Sequence, residues 1–224
     1  MRTWAVCQEK GGVGKTILTL NLGTYAVSRG EKVLIIDLDT QNSAAFWSKT
    51  REDAGAANGG PSVLGVSPER LPDVVKLAAE MDGSLVLVDT PSRLDTVALA
   101  AIRQADLVLC PCVPGLLSFA PLQKTVELIK GADKLSATIG ILNNVEQGAG
   151  VDKRIAQART VLEEFGMAVA ATPIFHLGQF SIAYDKGLAV SEMPDNKAAR
   201  QIQSLWNDLN KLASKRSKVK GARA

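Results

Sequence analysis

Residues 9–16 read EKGGVGKT, and this glycine-rich stretch decides the fold. The pattern G-x4-G-K-[ST] describes a loop that binds phosphate, and Gly14, Lys15 and Thr16 match its second half. Glu9 takes the place of the first glycine, but the other glycines still let the backbone turn its N–H groups toward a phosphate. The sequence therefore predicts a phosphate-binding loop here.

The residues on either side of this loop support the prediction. The apolar run Trp4–Gln8 predicts a strand before it, and Thr16–Ser28 predicts a helix after it. The positive end of that helix dipole favours an anion. In such a loop the Lys15 ammonium reaches the β- and γ-phosphates, and the Thr16 hydroxyl binds Mg²⁺.

Short apolar runs alternate with amphipathic stretches along the rest of the chain. Further strands are predicted at Lys32–Ile36, Val63–Val66, Leu85–Val88, Leu107–Pro111, Thr138–Leu142 and Ala168–Ile174. Further helices are predicted at Ser43–Arg51, Glu69–Met81, Asp95–Gln104, Ser118–Lys130, Asp152–Phe165 and Asp195–Ala213. The strands are apolar throughout, as parallel strands buried on both faces are. The expected fold class is α/β, with a doubly wound, mostly parallel sheet flanked by helices.

Three aspartates follow predicted strands. Asp37 and Asp39 follow the second strand, and Asp89 ends the fourth. Ligands of parallel α/β sheets bind at the carboxyl ends of the strands, so all three carboxylates are expected near the phosphates. Lysines, Mg²⁺ and backbone amides supply the positioning and charge neutralisation that phosphoryl transfer needs.

Charge is distributed unevenly along the chain. The 224 residues contain 26 Lys+Arg and 23 Asp+Glu, a formal net charge of +3. Residues 211–224 hold six basic residues and no acidic one, which leaves residues 1–210 with 20 basic and 23 acidic residues, a net charge of −3. This asymmetry favours a polyanionic partner, either nucleic acid or an anionic membrane.

Composition excludes several classes of protein. With 46% apolar and 22% charged residues, the chain is neither disordered nor collagen-like. No apolar run is long enough to span a membrane, and the N-terminus lacks a signal peptide, so we expect a cytoplasmic protein. The first strand begins near residue 3, so no N-terminal accessory domain is expected. Three cysteines are too few for a disulfide framework.

The order of these motifs resembles a known family. Residues 10–16, KGGVGKT, match the K-G-G-x-x-K-[ST] loop of the deviant Walker A ATPases, which include ParA, MinD, the nitrogenase iron-protein type and arsenical-pump ATPases. Residues 37–41, DLDTQ, resemble the family's D-x-D-P-Q, with Thr40 in place of proline. Residues 89–91 match its D-T-P.

The resemblance implies a role for each of these residues. Lys10 would cross a dimer interface to the nucleotide of the other subunit, and Asp39 would orient the attacking water; with Lys15 they are the catalytic candidates. ATP and Mg²⁺ are the implied cofactors, with Mg²⁺ held, partly through water, by Thr16, Asp37 and Asp89. Hydrolysis would be slow until a partner completes the site. The nucleotide-binding candidates are Lys10, Gly11, Gly12, Val13, Gly14, Lys15, Thr16, Ile17 and Asn143.

The end of the site that binds the base is less sharply defined. Asn143 matches a family position where asparagine reads adenine, Asn144 competes with it, and Pro173–His176 forms a second candidate wall. Ending a strand is the alternative role for either asparagine. His176, the single histidine, has no obvious partner in the sequence and is interpreted as a turn or packing residue.

Residues 178–200 are similar to the C-terminal part of small ParA proteins, which lack the DNA-binding extension of the larger type. Two departures stand out. Ile17 replaces a second threonine, which removes a hydroxyl contact to the α-phosphate. Phe180 replaces an arginine that has been linked to DNA binding or to organisation of the nucleotide site.

The chain is expected to divide into a single P-loop ATPase domain over residues 1–213 and a basic C-terminal tail over residues 214–224. The predicted helix Asp195–Ala213 has one apolar face, which we expect to pack on the sheet. Beyond it Val219 is the single large apolar residue, which favours DNA phosphates over a membrane, or else a solvated tail without a ligand. The candidate DNA contacts are Lys211, Lys215, Arg216, Lys218, Lys220 and Arg223.

These observations lead to one main hypothesis, a cytoplasmic, nucleoid-associated ATPase that forms a homodimer with ATP. The dimer would bind non-specific DNA, and a ParB-like adaptor would trigger hydrolysis to segregate plasmid or chromosome DNA. A MinD-like ATPase at the membrane and a ParA-like ATPase that positions a protein cargo are the alternatives. A small-molecule enzyme on the same scaffold, such as an iron–sulfur reductase or an ATP-dependent ligase, is a third hypothesis. The reductase is disfavoured, because Cys110 and Cys112 lie too close together in one strand.

Overall fold

The computed structural model describes residues 1–56, 59–93, 96–115 and 119–221. The strands are β1 (Arg2–Val6), β2 (Val33–Asp37), β3 (Ser62–Gly65), β4 (Leu85–Asp89), β5 (Leu107–Cys112), β6 (Thr138–Leu142) and β7 (Ala168–Val169). The helices are α1 (Lys15–Ser28), α2 (Ser43–Asp53), α3 (Leu71–Glu80), α4 (Thr96–Gln104), α5 (Phe119–Gly131), α6 (Val151–Glu164), α7 (Gly178–Asp185) and α8 (Lys197–Gly221).

The seven strands form one sheet in the order β3-β2-β4-β1-β5-β6-β7, and every pairing between them is parallel. The predicted doubly wound sheet is therefore confirmed. Consecutive residues of a strand face opposite sides: Trp4 and Val6 join one buried cluster, whereas Ala5 joins another. Helices cover both faces, which explains why the strands are apolar throughout.

The order of the strands places the functional site. From β1 the chain crosses to β2 on one side of the sheet, and from β4 it crosses to β5 on the other. Ligands of such sheets bind at this change of direction, beyond the carboxyl ends of the strands. The glycine-rich loop follows β1 at this point, flanked by the ends of β4 and β5.

The apolar face of α8 packs on the sheet, as predicted. Ile202, Leu205 and Leu209 are fully buried, and the ring of Trp206 lies 5.4 Å from that of Trp4 on β1. This face is therefore occupied within the chain. Among the described residues, no helix is both long and apolar enough to cross a membrane.

The secondary structure differs most from the prediction in three places. The last strand ends at Val169 rather than Ile174, since the chain then leaves the sheet to form a loop. The short helix α7 was not predicted. Helix α8 continues to Gly221, eight residues past the predicted end, because Lys, Arg and Ala favour helix and no glycine or proline interrupts them before that point.

Candidate functional site

The glycine-rich loop is shaped by its own backbone and by Asn143 at the end of β6. Gly12 and Gly14 have φ angles of 72° and 83°, which glycine adopts at no steric cost. The Asn143 side-chain amide donates to the Val13 carbonyl at 2.7 Å. A Cβ atom at Gly14 would stand 2.6 Å from that same amide nitrogen. Asn143 therefore holds the loop in place, and glycine is required beside it.

Lys15, the first residue of α1, is buried at the base of the loop. Its ammonium donates to the Ser92 hydroxyl at 2.9 Å, and burial lowers its pKa, an effect that Asp89 chiefly opposes. Ser92 follows the D-T-P residues and was not among the predicted site residues. Ser92, in the loop after β4, thus gives the Lys15 ammonium a hydrogen-bond acceptor next to the phosphate-binding loop.

Thr16 and Asp89 form the centre of the site. The Thr16 hydroxyl donates to Asp89 Oδ2 at 2.6 Å. The other carboxylate oxygen, Oδ1, is buried and has no hydrogen-bond partner among the described residues. Hydroxyl and carboxylate oxygens are the ligands that Mg²⁺ prefers, and an unpaired buried oxygen is a suitable acceptor for a cation or for water bound to it. These two residues therefore fit the predicted metal.

Burial raises the pKa of Asp89 from its ordinary 3.8 to about 7. In the unfolded chain this carboxyl loses its proton near pH 4, whereas in the folded protein it keeps the proton until about pH 7. Its contribution to stability without nucleotide is therefore full below pH 4 and is lost as the pH rises to about 7. We expect Asp89→Asn to flatten this part of the pH dependence, measured by thermal denaturation between pH 4 and 8. If the melting temperature of Asp89→Asn depends on pH as that of the wild type does, Asp89 is not the group that titrates in this range.

Asp37 and Asp39 occupy different surroundings although they are two residues apart. Asp37 is buried, and its carboxylate accepts from the backbone amides of Asp39, Ala44 and Ala45 at 3.0–3.3 Å. Burial raises its pKa, and these amides oppose the rise. These bonds support the loop and the start of α2, which is one part of its predicted role; its contact with metal stays a prediction.

Asp39 is half-buried and lies beside a cavity of about 450 Å³. One of its carboxylate oxygens accepts from the Gln41 amide at 3.0 Å. Ser92 and Arg93 line the same cavity, so the loops after β2 and β4 meet here. Asp39 therefore lies close to the phosphate loop, at a surface that a second protein can reach.

A second cavity, of about 300 Å³, lies on the other side of the loop and is called the base cavity below. Its lining residues are Gly12, Gly14, Ile17, Leu18, Asn143, Asn144, Ile174, Phe175, His176, Leu177, Phe180, Ser181 and Ile202. Both predicted walls of the base site thus face one space. Phe180 lines the same space.

His176 was interpreted as a turn or packing residue without a partner, and this was incomplete. It is exposed, lines the base cavity, and its Nδ1 lies 2.5 Å from the Asn144 side-chain oxygen. The two residues are 32 positions apart, so no local pattern could have paired them.

Lys10 is half-buried at the front of the loop, and its predicted contact with a second subunit concerns a partner chain that a single chain does not contain. Lys211 and Lys215 are exposed on α8. The backbone positions of Arg216, Lys218 and Lys220 belong to the same helix, and Arg223 lies outside the described residues.

Comparison with known proteins decides the family. The model of the CobQ/CobB/MinD/ParA nucleotide-binding domain matches residues 4–213. The chain belongs to this family. The predicted resemblance to ParA and MinD is therefore confirmed, and so is nucleotide binding as the family's property.

Curated relatives include positioning proteins with different cargoes. The chain is 41% identical to Maintenance of carboxysome distribution protein A of Gloeobacter kilaueensis, over 56% of this chain and 55% of that protein. It is 26% identical to the protein of the same name from Halothiobacillus neapolitanus, over 92% of this chain and 95% of that protein. It is 30% identical to the chromosome-partitioning ATPase Soj of Thermus thermophilus, over 66% of this chain and 71% of Soj.

Solved structures share the fold. An ATP complex of McdA from Cyanothece has a TM-score of 0.68 at 18% identity and covers 94% of this chain and 96% of its own. MinD from Pyrococcus horikoshii with Mg-ADP has a TM-score of 0.69 at 19% identity, and the match covers 96% of this chain and 98% of the MinD chain. The predicted cofactors, ATP and Mg²⁺, are thus those found with members of this family.

Proposed function

We propose that this chain is an ATP-driven positioning ATPase that dimerises around its nucleotide and binds DNA without sequence preference in the ATP state. The observation that carries the ATPase part of the proposal is the pairing of Thr16 with Asp89, whose second oxygen is buried and unpaired among the described residues, beside the buried ammonium of Lys15. Lys10, at the family position for a lysine that reaches the other subunit, supports dimerisation.

The residues divide the work of phosphoryl transfer among them. Lys15 and the backbone N–H groups of the glycine loop bind the phosphates, and Thr16 and Asp89 hold the metal. When bound, Mg²⁺ neutralises charge that develops on the phosphate oxygens. Asp39 orients the attacking water. Asp37 keeps Asp39 in position through its bond to the Asp39 amide.

A partner is needed for fast hydrolysis in this proposal. Asp39 lies at an open cavity, so the water it orients exchanges with solvent until a second protein covers it. A second subunit brings its own Lys10 to this surface, and an activating partner fixes the loops that carry Asp39 and Arg93. Excluding solvent strengthens every charge interaction in the site.

The cargo is DNA in the leading form of the proposal, moved with a ParB-like adaptor. The similarity to Soj supports this form, and the similarity to the two carboxysome distribution proteins supports the positioning of a protein assembly instead. Loss of a resident plasmid or chromosome in a strain without this chain would support DNA as the cargo. Normal DNA inheritance in that strain, together with clustered protein assemblies, would support a protein cargo.

The membrane alternative is less well supported. The apolar face of α8 is buried against the sheet, so it is not available to insert among lipids. Retention of the ATP-bound protein on anionic vesicles, lost on deleting residues 214–224, would favour that alternative over DNA.

We expect the substitution of Lys211, Lys215 and Lys218 by alanine to weaken DNA binding in the ATP state. Each lysine that contacts a phosphate releases counterions, so the slope of log affinity against log salt should fall by about one per lysine. Fluorescence anisotropy with a random-sequence duplex measures this, with ATP and with ADP. Alanine at Lys76, Lys130 and Lys153 is the charge-matched control. If both triple variants behave alike, the DNA surface lies elsewhere on the chain.

A further inference from the structure

Helix α7 contacts both the base cavity and the start of α2. Phe180 and Ser181, in its first turn, line the base cavity. Tyr184, one turn further along, donates from its hydroxyl to the carbonyl oxygen of Ser43 at 2.9 Å, and Ser43 is the first residue of α2. Phe180 and Tyr184 are four residues apart, so they share the face of α7 that packs on the core. A displacement of α7 at the cavity is therefore also a displacement at the start of α2.

The first turn of α2 is in turn bonded to the loop that carries Asp39. Ala44 and Ala45 donate their backbone amides to one carboxylate oxygen of Asp37, at 3.0 and 3.3 Å. The other oxygen of Asp37 accepts from the Asp39 amide at 3.0 Å. The place of Asp39 thus depends on the first turn of α2, to which both Asp37 and Tyr184 are bonded.

The chain that follows α7 lies against the remainder of α2. Trp47 Nε1 donates to the Leu188 carbonyl at 3.1 Å, and Arg51 Nη1 donates to the Gly187 carbonyl at 3.1 Å. The backbone of Arg51 leaves no room for a Cβ atom at Gly187. These contacts involve the middle and the end of α2. Among the described residues, the bond from Tyr184 is the one by which α7 itself reaches the first turn.

We propose that Tyr184 is a positioning residue that couples filling of the base cavity to the placement of Asp39. This inference rests on the proposed function, in which the phosphates of the nucleotide bind the glycine loop and its base enters the adjoining cavity. A base against Phe180 holds α7 in one position, and the Tyr184 hydroxyl then holds the first turn of α2. Asp37 connects that turn to the Asp39 amide. Binding energy from a part of the substrate that does not react is thereby used at the reacting phosphate.

Hydrolysis of ATP and of inorganic tripolyphosphate, each saturating and with Mg²⁺, tests this coupling, because tripolyphosphate has the phosphates without a base. The wild-type kcat should be at least about 10-fold higher for ATP. Tyr184→Phe removes only the hydroxyl and should lower kcat for ATP by about 5- to 10-fold, the effect of one hydrogen bond. Its KM for ATP and its kcat for tripolyphosphate should stay within about twofold of wild type, since neither depends on the coupling.

Tyr25→Phe is the matched control, because Tyr25 is the other tyrosine of the chain. Its ring packs against Trp206 of α8, and it does not line the base cavity. Both rates should stay at their wild-type values in this variant.

Phe180→Ala changes the cavity end of the same helix. It should raise KM for ATP and lower kcat for ATP, with little effect on tripolyphosphate. In the double variant of Phe180→Ala and Tyr184→Phe the two losses in kcat for ATP should not multiply, because either change already disconnects the cavity from α2.

Equal losses for ATP and tripolyphosphate in Tyr184→Phe would make Tyr184 an ordinary support of α2 and overturn the inference. Equal wild-type rates for the two compounds, or losses that multiply in the double variant, would also overturn it. Wild-type protein that hydrolyses neither compound would overturn the proposed function as well. ATP hydrolysis that does not change in Tyr184→Phe would contradict this inference alone and leave the proposed function in place.

Discussion

Replacing Asp39 with asparagine is expected to lower the rate of ATP hydrolysis by about 100-fold, the usual contribution of a positioned carboxylate to proton transfer. The asparagine oxygen can still accept from the Gln41 amide, which Asp39 does at 3.0 Å, so the loop keeps its shape. What the variant loses is the charge that orients and polarises the water. Because this interaction acts in the transition state, ATP binding should change little.

Release of labelled phosphate from ATP measures the effect, and titration calorimetry measures the binding. Asp53→Asn is the control, since Asp53 ends α2, the helix that follows the loop containing Asp39, and pairs with Lys49 at 2.8 Å on the surface. Turnover by Asp39→Asn within about threefold of wild type, less than one kcal/mol in the barrier, would remove Asp39 from the mechanism.

Replacing Glu192, whose side chain is 25% exposed, with alanine is expected to lower the free energy of unfolding by about 3 kcal/mol, because it leaves the buried Arg51 guanidinium without its charged partner. Arg51 Nη1 and Nη2 contact the two Glu192 oxygens at 2.7 and 2.5 Å, and the Arg51 side chain is only 4% exposed. Without Glu192 the guanidinium is left buried over the Trp47 ring, and among the described residues the Gly187 carbonyl is the acceptor that remains to it.

Thermal denaturation should show a melting temperature lower by about 6 to 12 °C for a chain of this size. Asp195→Ala provides the matched control, because it breaks an Arg–carboxylate pair with side chains that are 81% and 59% exposed. That change should cost less than about 1 kcal/mol. If the two variants lose the same free energy of unfolding, burial of Arg51 does not make its ion pair more important for stability than the exposed pair.

The parts of the site that follow from short motifs could be predicted, because each motif requires only its neighbours in sequence. Thr16, Lys15 and Asp89 each sit at the end of an apolar strand or the start of a helix, and the parallel sheet brings those ends together. The predicted roles of Lys10 and Asp39 came from the family resemblance.

The remaining features depend on contacts that no local pattern reveals. Ser92 acquires its importance only because the chain brings it within 2.9 Å of Lys15, 77 residues earlier. Arg51 and Glu192 are 141 residues apart. Helix α7 escaped prediction because its eight residues begin with glycine and do not form a single apolar stripe.

The length of α8 changes what its basic end can do. A flexible tail would tether DNA loosely, but α8 continues as a helix for eight residues beyond Ala213, about 12 Å at 1.5 Å per residue. In the packed part of the same helix, Trp206 contacts Trp4 of β1, the strand that leads into the phosphate loop. In the proposed function, a force on DNA bound at the C-terminal end of α8 is therefore transmitted to β1. Because β1 leads into the phosphate loop, the same strand responds both to that force and to the bound nucleotide.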